Sequence, residues 1–238
     1  HERAARVVGS LGSPAIPLLV DVIEQERDFR VRQTAASLLA EAGPEAVTQL
    51  KQAVVTGVVV EQRFRVLEVI DTVTKDLRDE IEFSLGDSNR KIRTAAFQLF
   101  ERLSRDDFID IVLPYAYGGD AAKAKGAVRS LGSLATNAAS EALASIPETT
   151  KDSELVIVCC QALGKIGNEI SINALAKILK KRRFLFLGQR WNEQVRAMAA
   201  MALKQISDPQ AAQVLTRFTH DGDRRVRQLA RSAATDGG

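Results

Sequence analysis

Along most of the chain, apolar residues recur every three or four positions, the period of a helix that buries one face. Val31, Ala35, Leu38 and Leu39 share one helical face, as do Val195, Ala199, Ala202 and Leu203. A second apolar helix precedes each such segment: Ile16, Leu19, Val20 and Ile23; then Ile109, Val112 and Leu113; then Leu175, Ile178 and Leu179. No stretch alternates apolar and polar residues as a half-buried strand would. Ser13-Pro14 and Asp208-Pro209 read as a helix cap followed by proline in the first turn. Gly12, Gly43 and Gly167 follow apolar runs and read as left-handed helix ends. The pattern predicts helix pairs and nothing else.

The pairs repeat. Val31-Arg32-Gln-Thr-Ala35-Ala36 returns as Ile92-Arg93-Thr-Ala-Ala96, as Val195-Arg196-Ala-Met-Ala199-Ala200 and as Val226-Arg227-Gln-Leu-Ala230. Self-similarity at a period of about 30 residues marks a stacked repeat protein. Following the arginine through Arg32, Arg65, Arg93, Lys125, Val156, Arg196 and Arg227 gives spacings of 33, 28, 32, 31, 40 and 31 residues. Residues 5–12 match Cys160 to Gly167 and read as the back half of an earlier copy. The alanine pairs at 35–36, 95–96 and 199–200 suit helices that approach closely in layers.

The best copies are Asp87 to Leu99, Asp221 to Ala234 and Leu163-Gly-Lys-Ile-Gly167. They resemble the HEAT repeat, in its short bacterial form of the bilin-lyase type. The resemblance implies an all-α fold, an α-solenoid of about seven stacked antiparallel helix pairs, with the second (B) helix of each pair lining the inner surface of a right-handed superhelix. It also implies a ladder in which Asp87 with Arg93, and Asp221 with Arg227, link successive layers. The expected organisation is a single repeat domain over 1–238, with an insert at 180–191. The chain opens on His1 inside an expected helix, which points to a piece of a longer repeat protein.

Composition changes little. A net charge of +3 is too small by itself to imply nucleic acid. No run approaches the length of a membrane span. The only two cysteines, Cys159 and Cys160, are adjacent on a helix and read as small buried hydrophobes, which suits the cytoplasm. With two histidines, His1 and His220, neither placed beside a nucleophile, and no phosphate-binding or zinc motif, there is no candidate catalytic, cofactor or metal residue. The carboxylate clusters Asp76, Asp79, Glu80, Glu82 and Asp106, Asp107, Asp110 read as solvated helix starts.

Two features depart from the repeat. The 40-residue interval before Arg196 contains an insert with Lys180, Lys181, Arg182, Arg183, Phe184, Phe186, Arg190 and the chain's one tryptophan, Trp191. It reads as a cationic helix end whose aromatics fold onto the next layer, as a site for an acidic partner or anion, or as a membrane-surface or single-strand contact. Second, Arg30, Arg63, Lys91, Lys123 and Arg225 each stand two residues before the repeat position, where the helix dipole disfavours a cation. They would form a ridge facing an acidic protein surface, or pair locally with Asp28, Glu61 and Asp87. The expected function is a non-catalytic protein–protein interaction scaffold. The alternative is an enzyme or a nucleic-acid- or anion-binding module on the same fold, in the manner of bilin lyases or of DNA glycosylases that grip the duplex backbone.

Overall fold

A computed structural model describes residues 13–180 and 191–236 of the 238-residue chain. Among them every regular element is helical. The A helices are α1 (Ala15–Gln25), α3 (Pro44–Thr56), α5 (Arg78–Leu85), α7 (Ile109–Tyr117), α9 (Asn137–Thr149), α11 (Glu169–Leu179) and α13 (Pro209–Thr216). The B helices are α2 (Phe29–Glu41), α4 (Val60–Val69), α6 (Arg90–Leu103), α8 (Ala121–Leu134), α10 (Ser153–Ile166), α12 (Glu193–Gln205) and α14 (Arg224–Asp236). These make the seven pairs of an α-solenoid, each A helix packing on the B helix that follows it. The earlier copy read at 5–12 lies outside the described residues.

The chain forms two compact units, His1–Ser104 and Arg105–Gly238. In the first, α1, α3 and α5 form one row and α2, α4 and α6 the other. In the second, α7, α9, α11 and α13 form the A row and α8, α10, α12 and α14 the B row. The apolar positions read from the sequence fill the space between rows: Ile23, Leu39, Ile92, Leu175, Val195 and Leu203 are fully buried. Val31 departs from this and is exposed.

Helix starts follow local chemistry. Asp28, Asn89, Asp120, Asp152, Asn192 and Asp223 each cap a B helix by accepting backbone N–H bonds. Only α4 lacks such a cap and begins after Val59. Asp208 caps α13 as expected. Ser13 does not cap α1: Pro14 is already helical there, and only the Ser13 carbonyl is used, by Ile16 N–H at 3.1 Å. Gly167 ends α10 in the left-handed conformation, φ 68°, with its N–H on Leu163.

The helix starts also correct the register. The repeat position is the fourth residue of each B helix, which is Arg32, Arg63, Arg93, Ala124, Val156, Arg196 and Arg227. In place of Arg65 and Lys125, the equivalents are Arg63 and Ala124. The α4 copy slips by two residues because α4 has no polar cap to mark its start, and the α8 copy slips by one because Lys125 stands one residue past the position.

The corrected register shows how layers are tied. Arg63 donates from Nη1 to the Asp87 carboxylate of the next layer at 2.7 Å and from Nε to the Val54 carbonyl at 2.8 Å. The Asp87 carbonyl meanwhile accepts from Arg93 Nη1 at 2.9 Å. Asp221 repeats the arrangement: both its carboxylate oxygens accept from Arg196, at 2.9 and 2.6 Å, and its carbonyl accepts from Arg227 at 2.6 Å. The aspartate six residues before an arginine therefore offers that arginine its carbonyl and offers its carboxylate to the layer before. Arg32, whose next layer has Gly57 in place of the aspartate, turns to Glu68 and to the carbonyls of Glu26 and Arg27. A Cβ on Gly57 would lie 2.6 Å from the Ala53 carbonyl oxygen and 2.8 Å from Arg63 Cγ, so glycine leaves room for the Arg63 rung.

Where the repeat position is Ala124 or Val156, the layers are held by close approach instead. A Cβ on Gly132 of α8 would sit 2.7 Å from the Ala162 Cβ of α10, and one on Gly164 of α10 would sit 2.9 Å from the Ala202 Cβ of α12. Gly132→Ala gains about 1 kcal/mol of helix propensity but loses more, about 1–3 kcal/mol, to overpacking. The expected outcome is a lower urea midpoint, restored by adding Ala162→Gly; a simple additive loss in the double variant would contradict the contact.

Arg196 is wholly buried, so truncating it strands the Asp221 charge. Arg196→Ala is expected to cost about 3–5 kcal/mol in denaturant titration, well above Arg93→Ala, whose partners are loop carbonyls. Burial alone would raise the Asp87 carboxyl, but the Asn89 N–H bond and the Arg63 and Arg93 guanidiniums hold it below its ordinary 3.8. A folded-state value below the unfolded one contributes stability that is fully present above 3.8 and is lost as pH falls through the lower value. Asp87→Asn should lower stability at neutral pH and flatten the acid limb of the stability–pH curve.

Candidate functional site

The expected site residues fall into three groups. Lys181, Arg182, Arg183 and Arg190, with Phe184 and Phe186, lie outside the described residues. Lys180 is exposed just after α11, with its backbone N–H on Ala176. Trp191 is buried at 7% exposure, beside Pro147 of α9 and Ala174 and Ile178 of α11, where it lines a cleft of about 150 Å³. The tryptophan is folded onto the neighbouring layer, so the surface it offers is small. Lys177, on the same cleft, lies 3.9 Å from Glu148.

The row of five cations is not one structural position. Arg30, Lys91 and Arg225 are the second residues of α2, α6 and α14, and the same place is held by Glu61 in α4 and Glu154 in α10. Arg63 is the buried rung to Asp87. Lys123 is the third residue of α8 and lies over the Tyr115 ring at 5.9 Å. Lys91 donates to Glu61 at 2.6 Å and lies 4.0 Å from the Phe64 ring centroid. The Lys91 bond holds the Glu61 carboxyl below its ordinary value, the mark of a local pair. Glu154 is likewise engaged by Lys125. Of the five, Arg30 and Arg225 are the exposed cations with no ion-pair partner among the described residues.

The second unit also carries a groove that the sequence pattern did not indicate. Successive B helices α10, α12 and α14 enclose a groove of about 760 Å³. Its floor is apolar: Ile157, Ala197, Met198, Met201 and Leu229. Its rim is polar: Gln194, Lys204, Arg225, Gln228 and Ser232. Met198 and Met201 are the chain's only methionines, and Met201 is 43% exposed. Their signal was present in the sequence, since they stand three apart on α12, away from the Val195, Ala199, Ala202 and Leu203 face that packs the core. Lys204 spans to α14 by donating to Ser232 at 2.8 Å.

The remaining chemistry is quiet. Cys159 and Cys160 are free and buried; burial pushes the Cys160 thiol up to about 12 and raises Cys159 as well, so both are protonated at neutral pH. Among the described residues no group of three His, Cys, Asp or Glu side chains is placed to hold a metal ion, and no helix is long and apolar enough to cross a membrane.

Paired helices in two rows within each unit, their layers tied by arginines at the fourth place of a B helix or by glycine contacts, define a repeat protein of the α-solenoid class. The HEAT-repeat family model matches residues 186–235 of this chain. No curated protein matches it. Among solved structures it is similar to human deoxyhypusine hydroxylase in complex with glycerol, at 17% identity over 99% of this chain and 88% of that one, with a TM-score of 0.45. It is also similar to an engineered protein, at 19% identity over 93% of this chain and 67% of the other, TM-score 0.41. A designed armadillo repeat protein matches at 14% identity over 94% of this chain and all of its own length, TM-score 0.31.

Proposed function

We propose that the protein is a non-catalytic interaction scaffold that docks another protein on the B-helix face of α10, α12 and α14. The observation that carries this reading is the 760 Å³ groove with its methionine-bearing apolar floor and polar rim. An apolar floor ringed by polar groups is the composition of an interface centre. Methionine's unbranched, polarisable side chain lets such a surface adapt to a partner. HEAT repeats generally mediate protein interactions, which agrees with this assignment. We place this scaffold in the cytoplasm, which suits a chain with two adjacent buried cysteines and no disulfide framework.

The test is photo-crosslinking in cells from one position on each row. A benzophenone side chain at Gln228, on the groove rim, should trap a discrete partner. The same group at Lys177, on α11 of the A row, should not. Identical products from both positions, or none from Gln228, would overturn the reading.

A further inference from the structure

Between α8 and α10 the arginine rung is missing, and the space it would fill is open. At the fourth place of the B helix, α8 has Ala124 where α4 has Arg63 and α12 has Arg196. Six residues before the repeat position of the next layer stands Thr150, where the other junctions have Asp87 and Asp221. Thr150 keeps one half of the aspartate's work. Its Oγ1 accepts the Asp152 N–H at 3.0 Å, as Asp87 Oδ1 accepts from Asn89 at 2.6 Å and Asp221 Oδ1 from Asp223 at 2.9 Å. The other half, a carboxylate for the arginine of the preceding layer, is missing together with that arginine.

What remains is a slot of about 410 Å³ lined by Ala124 and Thr150 themselves. Ala116 and Tyr117, the last two residues of α7, line it as well. The buried arginines of the other layers donate to the same part of the preceding A helix: Arg63 to Val54 near the end of α3, and Arg196 to Leu179 at the end of α11. The last carbonyls of a helix have no partner within it and carry the negative end of its dipole. Asp152 adds a carboxylate to the lining, and its Oδ1 covers the first N–H groups of α10. Among the described residues no cation lines the slot. Lys123 lies over the Tyr115 ring, Lys125 is paired with Glu154, and Lys151 is exposed.

We infer that this slot binds an alkylguanidinium supplied from outside the chain, an arginine side chain or a small guanidino amine, in the place that the chain's own arginine fills in other layers. The planar head meets the end of α7 and the Asp152 carboxylate, and the Tyr117 ring, 46% exposed, offers a face for stacking. The stem lies on Ala121, Ala124 and Leu155. An anion would instead meet Asp152 and the negative end of α7. An ammonium concentrates its donors at one point and does not match spread acceptors as the fork does. The slot shares no residue with the groove on α10, α12 and α14, so the inference stands apart from the docking role proposed there.

The chain's two tyrosines are both on α7, and Tyr117 lines the slot while Tyr115 does not. Labelled with fluorotyrosine, the protein gives two fluorine resonances, assigned by Tyr115→Phe and Tyr117→Phe. Butylguanidine should shift the Tyr117 resonance, leave that of Tyr115 nearly still, and bind about ten-fold more tightly than butylamine, which has the same stem and another head. A blocked tripeptide with a central arginine separates the sources. Binding as tight as butylguanidine assigns the slot to a partner's side chain, and exclusion of the peptide assigns it to a small guanidino compound.

Two variants complete the test. Asp152→Asn keeps the α10 cap, because asparagine caps as well as aspartate, and should weaken butylguanidine by about three-fold. Ala124→Arg with Thr150→Asp supplies the rung from within. The pair should raise the urea midpoint above that of either single variant and abolish the Tyr117 response. Equal affinity for butylguanidine and butylamine, or no shift by either, would overturn the site. So would a Tyr117 response that survives in the folded double variant, or unchanged butylguanidine affinity in Asp152→Asn.

Discussion

A guanidinium removed from water must have its donors met by fixed acceptors, and that requirement organises one junction between layers in each unit. Arg196 and Arg63 are buried, and each reaches a carbonyl at the end of the preceding A helix and a carboxylate in the turn of the next layer. Because the fork is planar, those acceptors must lie in one plane at set distances. The arginine thus fixes the turn, the helix start and the spacing of the following layer together. Such a buried pair adds little net stability over a well-packed apolar substitute. Its contribution is position, and losing either partner is costly because the other is left charged and dry.

The middle of the second unit meets the same spacing differently. Ala124 and Val156 stand at the repeat position there, and α8, α10 and α12 close up through Gly132 on Ala162 and Gly164 on Ala202. Contact of helix backbones across glycine fixes distance through repulsion, where the arginine rungs fix it through directed bonds. One chain therefore uses two methods of register, and each appears where its residues permit it.

The sequence made the fold legible because helical periodicity and the alanine-rich phrase both survive in most copies. The register failed at the two copies where a local mark was missing: α4 has Val59 where other B helices have Asp or Asn, and α8 has Ala124 where most have arginine. That two-residue slip turned Arg63, a buried rung, into an apparent member of an exposed ridge. The aspartate–arginine spacing was visible, but its meaning was not, because Asp87 and Asp221 each divide between two layers through different oxygens. The groove was hidden for a different reason. It depends on side chains from three helices between residues 157 and 232, and nothing in a single stretch of sequence announces that Ile157, Met201 and Leu229 are neighbours. Only the placement of both methionines on one helix could have pointed there.

The long interval before α12 is anchored at each end by groups that belong to the stack. Leu179 gives its carbonyl to Arg196 at 3.0 Å, Trp191 is packed between α9 and α11, and Asn192 caps α12 by accepting the Val195 N–H at 3.0 Å. Each post ties two helices at once, so displacing Leu179, Trp191 or Asn192 would unsettle a joint rather than a single element, as a loosened pier lowers both of the spans that rest on it.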